Sequence, residues 1–398
     1  MGRDPRRARD PVRDAEEVLM PRDRLVVVQL DAVQLDTSRV VLSTKSLHAL
    51  ELYAAHWPGE TVVAVEVKPR DPSPLLTSVR IADLGFTIVD RARMGVAQLR
   101  RDAAVTLAMH DVYDTGRSDL APDRLVLYGE IPLAERIRMA QIGSGRIGRL
   151  RAAAGWRRRR GALREMVART GGFQANGYPA LEDYGTLSPS AMVYFDTRAS
   201  AQIVLDAAHE APARPSGRPF TVGFSGRHTA AKGPEHVLAA VLALLEEGLD
   251  LRLVLYGSGE LTPVLQERAS AWPEHIDFRG DLDFATDWVH DVPRTVDLMV
   301  LPHVQGDPSG TYLESAAVGV PVLGFDNVAL QSLVDRHGIG WTVPLGDTSA
   351  LAARIRELST DPAARSDASQ RGRDLMREHH FEAEFARRVR HLRDVAAL

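Results

Sequence analysis

The chain has 398 residues, of which 44% are hydrophobic and 26% charged, with a formal net charge of −4 and no cysteine. Such a length calls for two domains of roughly 150–200 residues each, and the composition is that of a water-soluble globular protein. The missing cysteines remove disulfides, thiolate nucleophiles and cysteine-ligated metals, and the charge balance makes no case for nucleic acid as a partner. No apolar run is long enough for a bilayer and no signal-peptide pattern is present, so a cytoplasmic location is expected.

Residues 1–23 are charged and Pro-containing with little apolar content, and are expected to form a disordered tail. From Arg24 short β-branched runs alternate with longer helical patterns. RLVVVQL (24–30), TVVAVEV (61–67), GFTIVD (85–90), AAVTLAMH (103–110) and RLVLYGE (124–130) are strand candidates. They are almost continuously apolar, as strands covered on both faces are. A helix fits 44–57, and the alternation predicts a parallel sheet for a first domain over 24–206. No glycine-rich dinucleotide fingerprint follows the first strand.

Residues 146–169 carry nine arginines and one glutamate. Either this is a solvated helix face or it is a basic surface for anionic lipid or an anionic acceptor, with Trp156 suited to an interface. In that second case the protein is peripheral on the inner face of a membrane. Arginine supplies nearly all the basic charge, and the only lysines are Lys45, Lys68 and Lys232. A lysine in such a chain can mark a place that needs a compact point charge, although chance is the plainer account of any single one.

AAHEAPARPSGRP (207–219) has no periodicity and is expected to be the interdomain linker. A second domain over 220–380 follows, with strand candidates at 220–226, 251–257, 275–280, 296–302, 321–325 and 339–343. This is a doubly wound α/β pattern, in which ligands bind beyond the carboxyl ends of the strands. A last helix over 381–398 could pack back on the first domain.

Four motifs fall at those strand ends. In FSGRHTAAKG (224–233) Gly226 closes a strand, and Arg227 and Lys232 can converge on one anion as a planar fork and a point charge; otherwise they solvate a loop. In LYGSGE (255–260) Gly257 either lets a ligand approach the backbone or makes a tight turn. In HIDFRGDL (275–282) the backbone at Gly280 could face a nucleobase. GDPSGTYLESAAVGVPVLGF (306–325) opens a helix at Ser309, Gly310 and Thr311, whose free N–H groups suit a phosphate. Here Thr311-x-x-Glu314 reads as a capping box, while a carboxylate also suits two vicinal sugar hydroxyls.

In combination and order these motifs resemble the carboxyl-terminal domain of retaining glycosyltransferases of family 4, with the GT-B fold, over about residues 220–345. The resemblance implies two Rossmann-like domains facing across a cleft that holds a nucleotide diphosphate sugar. Arg227 and Lys232 match the pair that neutralises the leaving diphosphate, Gly280 the turn beside the base, and Ser309, Gly310 and Thr311 the helix start beside diphosphate and sugar. Glu314 matches the ribose-binding second glutamate of a paired motif. Where the family often has the first glutamate, this chain has Gly306; Asp307, one residue on, either supplies that carboxylate or caps the helix. His110 is similar to a family histidine that faces the transferred sugar, and the alternative is a structural hydrogen bond. GGFQANGYPALEDYG (171–185) is expected to line the same cleft, and the family's Gly-Gly acceptor loop after the first strand is absent. The implied activity is metal-independent, retaining transfer from a nucleotide sugar, UDP-sugar favoured over GDP-sugar, to a hydroxyl of a glycan, lipid-linked or small-molecule acceptor, without a cofactor. A non-catalytic partner protein or a sugar-nucleotide epimerase of the same fold are the alternatives.

Overall fold

The computed structural model describes residues 23–29, 31–69, 76–110, 122–141, 145–209 and 217–397. The tail expected over 1–23 lies outside the described residues except for Asp23, as does most of the expected linker.

In chain order the first half comprises β1 (Leu25–Val28), β2 (Gln34–Leu35), β3 (Arg39–Ser43), α1 (Thr44–His56), β4 (Thr61–Val65), β5 (Leu76–Arg80), β6 (Thr87–Asp90), α2 (Val96–Arg101) and β7 (Val105–Met109). It continues with β8 (Leu125–Gly129), α3 (Leu133–Gln141), α4 (Arg146–Ala168), β9 (Gly172–Asn176), α5 (Tyr178–Tyr184) and β10 (Ala191–Tyr194). Seven of these strands form one sheet in the order β10-β9-β8-β7-β1-β4-β6, and every pairing in it is parallel. β1 and β4 are buried along their whole length, which is why LVVV and TVVAV do not alternate. β2, β3 and β5 make a small antiparallel sheet beside it, a feature with no counterpart in the sequence reading.

The second half comprises α6 (Ala201–His209), β11 (Phe220–Ser225), α7 (Pro234–Glu246), β12 (Leu251–Tyr256), α8 (Thr262–Ala269), β13 (Ile276–Gly280), α9 (Val289–Thr295) and β14 (Leu298–Leu301). Then come α10 (Gly310–Ala317), β15 (Val322–Phe325), α11 (Val328–His337), β16 (Gly340–Val343), α12 (Thr348–Ser359), α13 (Pro362–Glu378) and α14 (Phe381–Ala397). The strands form a second parallel sheet, β13-β12-β11-β14-β15-β16, at the positions the apolar runs predict.

The boundary between the halves differs from the predicted one. Phe195, Ala199 and Val204 pack into the core of the second domain, so the chain crosses over directly after β10 rather than at 206. The stretch AQIVLDAAH forms α6, including the Ala-Ala-His expected to begin the linker, because Ala is the best helix former and Ile203 and Val204 give it an apolar side. The last helix returns to the first domain. On α14, Phe385, Val389, Leu392 and Val395 recur at helical spacing and enter the core built from β1, β4, β7 and α1. Phe385 meets Tyr53 edge to face at 5.0 Å. Each buried side chain of this kind contributes about 1.5–3 kcal/mol, so α14 binds the two halves together.

Candidate functional site

The carboxyl ends of β11, β12 and β13 abut through glycine. Gly226 follows β11 at φ 151°, Gly257 follows β12 at φ 103° and Gly280 ends β13 at φ 64°. The N–H of Gly226 donates to Tyr256 O at 3.1 Å and that of Gly257 to Gly280 O at 2.7 Å. A Cβ on Gly257 would stand 2.1 Å from Gly226 O, so no other residue fits there. At Gly280 an added Cβ would meet nothing within 4 Å, so the turn borders open space.

Arg227 and Lys232 lie on the loop between β11 and α7. Its return is made by Gly233, left-handed at φ 68°, with Pro234 opening the helix. Arg227 is exposed, while Lys232 keeps only 11% of its side chain accessible and sits 3.8 Å from Asp307 Oδ1. That is an ion-pair distance, too long for a hydrogen bond. Burial lowers the Lys232 pKa, with Arg227 adding to the effect and Asp307 opposing it. Behind Lys232 the imidazole of His303 is enclosed. Its Nδ1 is 3.0 Å from the Tyr312 hydroxyl, and Asn327 Nδ2 donates both to that hydroxyl and to His303 O at 3.1 Å.

The start of α10 corrects two expectations. The helix begins at Gly310 with Ser309 as its N-cap and no side-chain cap. Thr311 and Glu314 therefore form no capping box, and Asp307 does not cap the helix, because Thr311 already lies inside the first turn and Asp307 two residues before the N-cap. Glu314 instead is buried and engaged in a bidentate pair with Arg198, whose Nε and Nη2 donate to its two oxygens at 2.7 and 2.8 Å. The guanidinium also lies over the Phe284 ring, 4.2 Å from its centroid. Arg198 belongs to the segment that crosses between the domains; no spacing in the sequence singles it out.

Gly306 reveals a further residue. Its N–H donates to Glu135 Oε1 of α3 at 2.6 Å, and a Cβ at 306 would stand 2.9 Å from the Glu135 carboxylate. A carboxylate from the first domain thus fills the space of a side chain at 306. It is 3% exposed and held by Arg138, which donates through Nε and Nη2 at 2.8 Å each.

His110 is the residue that the structure removes from the site. Its side chain is wholly buried, Nε2 lies 2.9 Å from Leu163 O of α4, and Phe173 and Tyr184 meet the ring edge to face. The imidazole is turned into the core, because β7 is covered on that side by α4 and α5. The structure brings Gly226, Arg227, Lys232, Gly257, Gly280, Asp307, Ser309, Gly310, Thr311 and Glu314 to the carboxyl end of the second sheet. A large cavity lined by Arg218, Phe220, Asp297 and Pro321 opens instead where strands of that sheet begin, and contains none of these residues. Among the described residues no group of three or more His, Asp or Glu is placed to hold a metal ion.

Comparison with known proteins follows the same division. Residues 219–361 match the family described as "Glycosyl transferases group 1". The phosphatidyl-myo-inositol mannosyltransferase of Mycobacterium leprae is 29% identical over 163 residues, 40% of this chain and 43% of that protein. The 2-deoxystreptamine glucosyltransferase of Streptomyces kanamyceticus is 24% identical over 165 residues, 40% of this chain and 42% of that protein. The chain thus spans less than half the length of these curated relatives. Solved structures align over almost the whole molecule. Anabaena Alr3699/HepE in complex with UDP covers 94% of this chain and 100% of its own at TM-score 0.61 and 12% identity. Sucrose-phosphate synthase from Thermosynechococcus elongatus gives the same coverages at TM-score 0.61 and 17% identity. The fold is GT-B: two Rossmann-like α/β domains with parallel sheets.

Proposed function

We propose that the protein is a retaining glycosyltransferase that needs no metal and moves a sugar from a nucleotide diphosphate sugar to an acceptor hydroxyl. The observation that carries this reading is the convergence of Lys232, Arg227 and the start of α10 beside three glycine turns at one sheet end. Breaking the bond at the anomeric carbon develops negative charge on the diphosphate. A largely buried ammonium and a guanidinium beside that charge stabilise it without a cation from solution. The open turn at Gly280 suits a base and Glu314 the ribose, where hydroxyls compete with or join Arg198 on a carboxylate that has about four lone-pair sites. UDP is favoured over GDP, in line with the UDP found in HepE.

The acceptor hydroxyl attacks from the face that the diphosphate leaves, and a phosphate oxygen takes its proton. With His110 in the core, the sugar is oriented by groups of the helix start. The test is nucleotide release from a panel of UDP- and GDP-sugars, with the anomeric configuration of the product read by NMR. Retention and a UDP preference support the reading; inversion removes the same-face step. Incubation with the donor alone separates transfer from epimerisation, and a chain that neither hydrolyses nor transfers is the non-catalytic partner.

Helix α4 supports a membrane-surface location for the acceptor. Ile147 and Leu150 are 68% and 72% exposed among the arginines of its amino-terminal half, a pairing of apolar and basic groups that suits an anionic interface. Among the described residues no helix is long and apolar enough to cross a membrane. Loss of liposome binding when anionic lipid is left out is the expected result; equal binding to neutral vesicles removes this part of the proposal.

A further inference from the structure

The first domain has its own polar cluster at the carboxyl end of its sheet, which the stretch 171–185 reaches through Asn176. Glu130 directly follows β8, Asn176 ends β9 and Asp196 lies two residues beyond β10. Asn176 bridges them: its Nδ2 donates to Glu130 Oε1 at 3.4 Å and its Oδ1 accepts from the Asp196 N–H at 3.2 Å. The first turn of α1 adds Lys45, whose Nζ donates to Asp196 Oδ2 at 2.6 Å, and Ser46, whose hydroxyl donates to Asp31 Oδ2 at 3.2 Å. Four strand ends and a helix start thus supply acceptors, an amide and an ammonium to one spot. Asn176 is 3% exposed and fixed, while Lys45 and Asp196 are 41% and 35% open along their side chains.

The cluster faces the start of α10. Asp196 O would stand 3.2 Å from a Cβ on Gly310, and Asn176 and Asp196 share a small void with Pro308 and Ser309. This side of the cluster therefore borders the helix start at which Lys232 and Asp307 also arrive.

We infer that Glu130, Asn176, Asp196 and Lys45 form a binding site for a polyhydroxylated acceptor that is neutral or carries an amine. Vicinal hydroxyls pair with carboxylate oxygens and a side-chain amide, which both donates and accepts. An anionic acceptor is disfavoured because both nearby cations are engaged. Lys45 is on Asp196, and Arg388 is enclosed by the rings of Tyr53, Tyr128 and Tyr194 with its Nε on Gln174 Oε1 at 2.8 Å. With Asp196 paired to Lys45, the carboxylates Asp31 and Glu130 are the charges left to meet the ligand. Burial raises the Glu130 pKa, as does the Asp196 charge, against the opposing effects of Asn176, Lys45 and Arg388. A partly desolvated carboxyl of this kind gains from a hydroxyl or ammonium donor.

Only the fate of the bound hydroxyl rests on the glycosyltransferase reading, so binding is measured apart from transfer. Saturation-transfer NMR on the full chain with myo-inositol, glucosamine and glucose 6-phosphate gives the affinities directly. Inositol and glucosamine are expected to bind, glucose 6-phosphate about tenfold or more weakly, and E130A and N176A to weaken the polyols by about tenfold, as for a site that loses a buried hydrogen-bonding group. E130Q keeps the volume and should fall between. The thermal shift produced by UDP reports that each variant is folded. No polyol binding by the wild-type chain, a preference for the phosphate, or wild-type affinity in folded E130A each overturns the site. Polyol binding without any nucleotide release from UDP-sugars would sink the proposed activity and leave this site standing.

Discussion

The two domains share an architecture but build their cleft faces in different ways. In the carboxyl-terminal domain the face is largely backbone. Gly226, Gly257 and Gly280 take positive φ at adjacent strand ends, and α10 starts with no side-chain cap on its first turn. In the amino-terminal domain the face is made of side chains from scattered elements: Lys45 from α1, Glu130 after β8, Glu135 from α3, Asn176 from β9 and Asp196 after β10. Backbone solutions restrict the residue type at fixed spacing and leave a mark in sequence. Side-chain solutions are satisfied by common polar residues at positions that only the fold brings together.

The sharpest way to break this contrast is at Lys232. Lys232→Ala removes the buried ammonium and should lower turnover by about 10²–10³-fold, the usual cost of one group aimed at developing charge. Nucleotide release under saturating donor reads it. A loss under tenfold would mean that the diphosphate is held chiefly by backbone N–H groups and Arg227, and that the second domain relies on its backbone more than on Lys232.

Glu135 tests whether the first domain completes the second. Glu135→Ala deprives the Gly306 N–H of its acceptor and Arg138 of its partner, a cost of about 1–3 kcal/mol. The donor KM should rise by about tenfold, at 1.4 kcal/mol per decade. Gly306→Ala should act similarly, since the new methyl would stand 2.9 Å from the carboxylate. In the double variant the second change should add little, because the space has already been vacated. Additive losses would show that the two residues act separately.

These cases show how far the sequence reaches. The six strands of the second sheet were readable because each is an apolar run punctuated by Gly or Pro. The donor-side residues were readable because glycine and a helix start are locally encoded. Glu314 was readable as a carboxylate, but its partner was not: Arg198 lies 116 residues away, in a stretch without motif or period. Gly306 looked like a missing carboxylate, while the carboxylate that fills its space comes from 171 residues earlier. The small sheet of β2, β3 and β5 escaped because RVVLS and LTSVR are short and half-exposed, without the continuous apolar run of a buried strand.

His110 is a smaller test of the same contrast, since a histidine at a strand end invites a catalytic role. Buried with its Nε2 on Leu163 O and two aromatic rings against it, it should behave as a core residue. His110→Ala is expected to cost about 1–3 kcal/mol of stability, measured by urea unfolding. Turnover per folded molecule should stay within a few-fold of wild type. A large fall in kcat with unchanged stability would restore it to the site.

The smallest effect is a pH dependence from His303. Burial holds its pKa well below the ordinary value, and the charge of Lys232 lowers it further. In the window between that depressed value and about 6.5, the unfolded chain binds a proton that the native imidazole refuses. Stability therefore rises with pH across the window and is lost as the pH falls through it, by up to about 1.4 kcal/mol per pH unit for one such group. His228, His337 and His391 are also lowered, chiefly by burial, and contribute in the same direction. His303→Gln should flatten the stability profile below about pH 6.5 by up to one proton's slope, read from urea midpoints at a series of pH values. It should also reduce turnover modestly, because the imidazole and the Tyr312 hydroxyl back the loop that presents Lys232 and Asp307. An unchanged slope would mean that His303 accepts its proton inside the folded protein, and that the polar layer behind the donor face is wetter than its full enclosure implies.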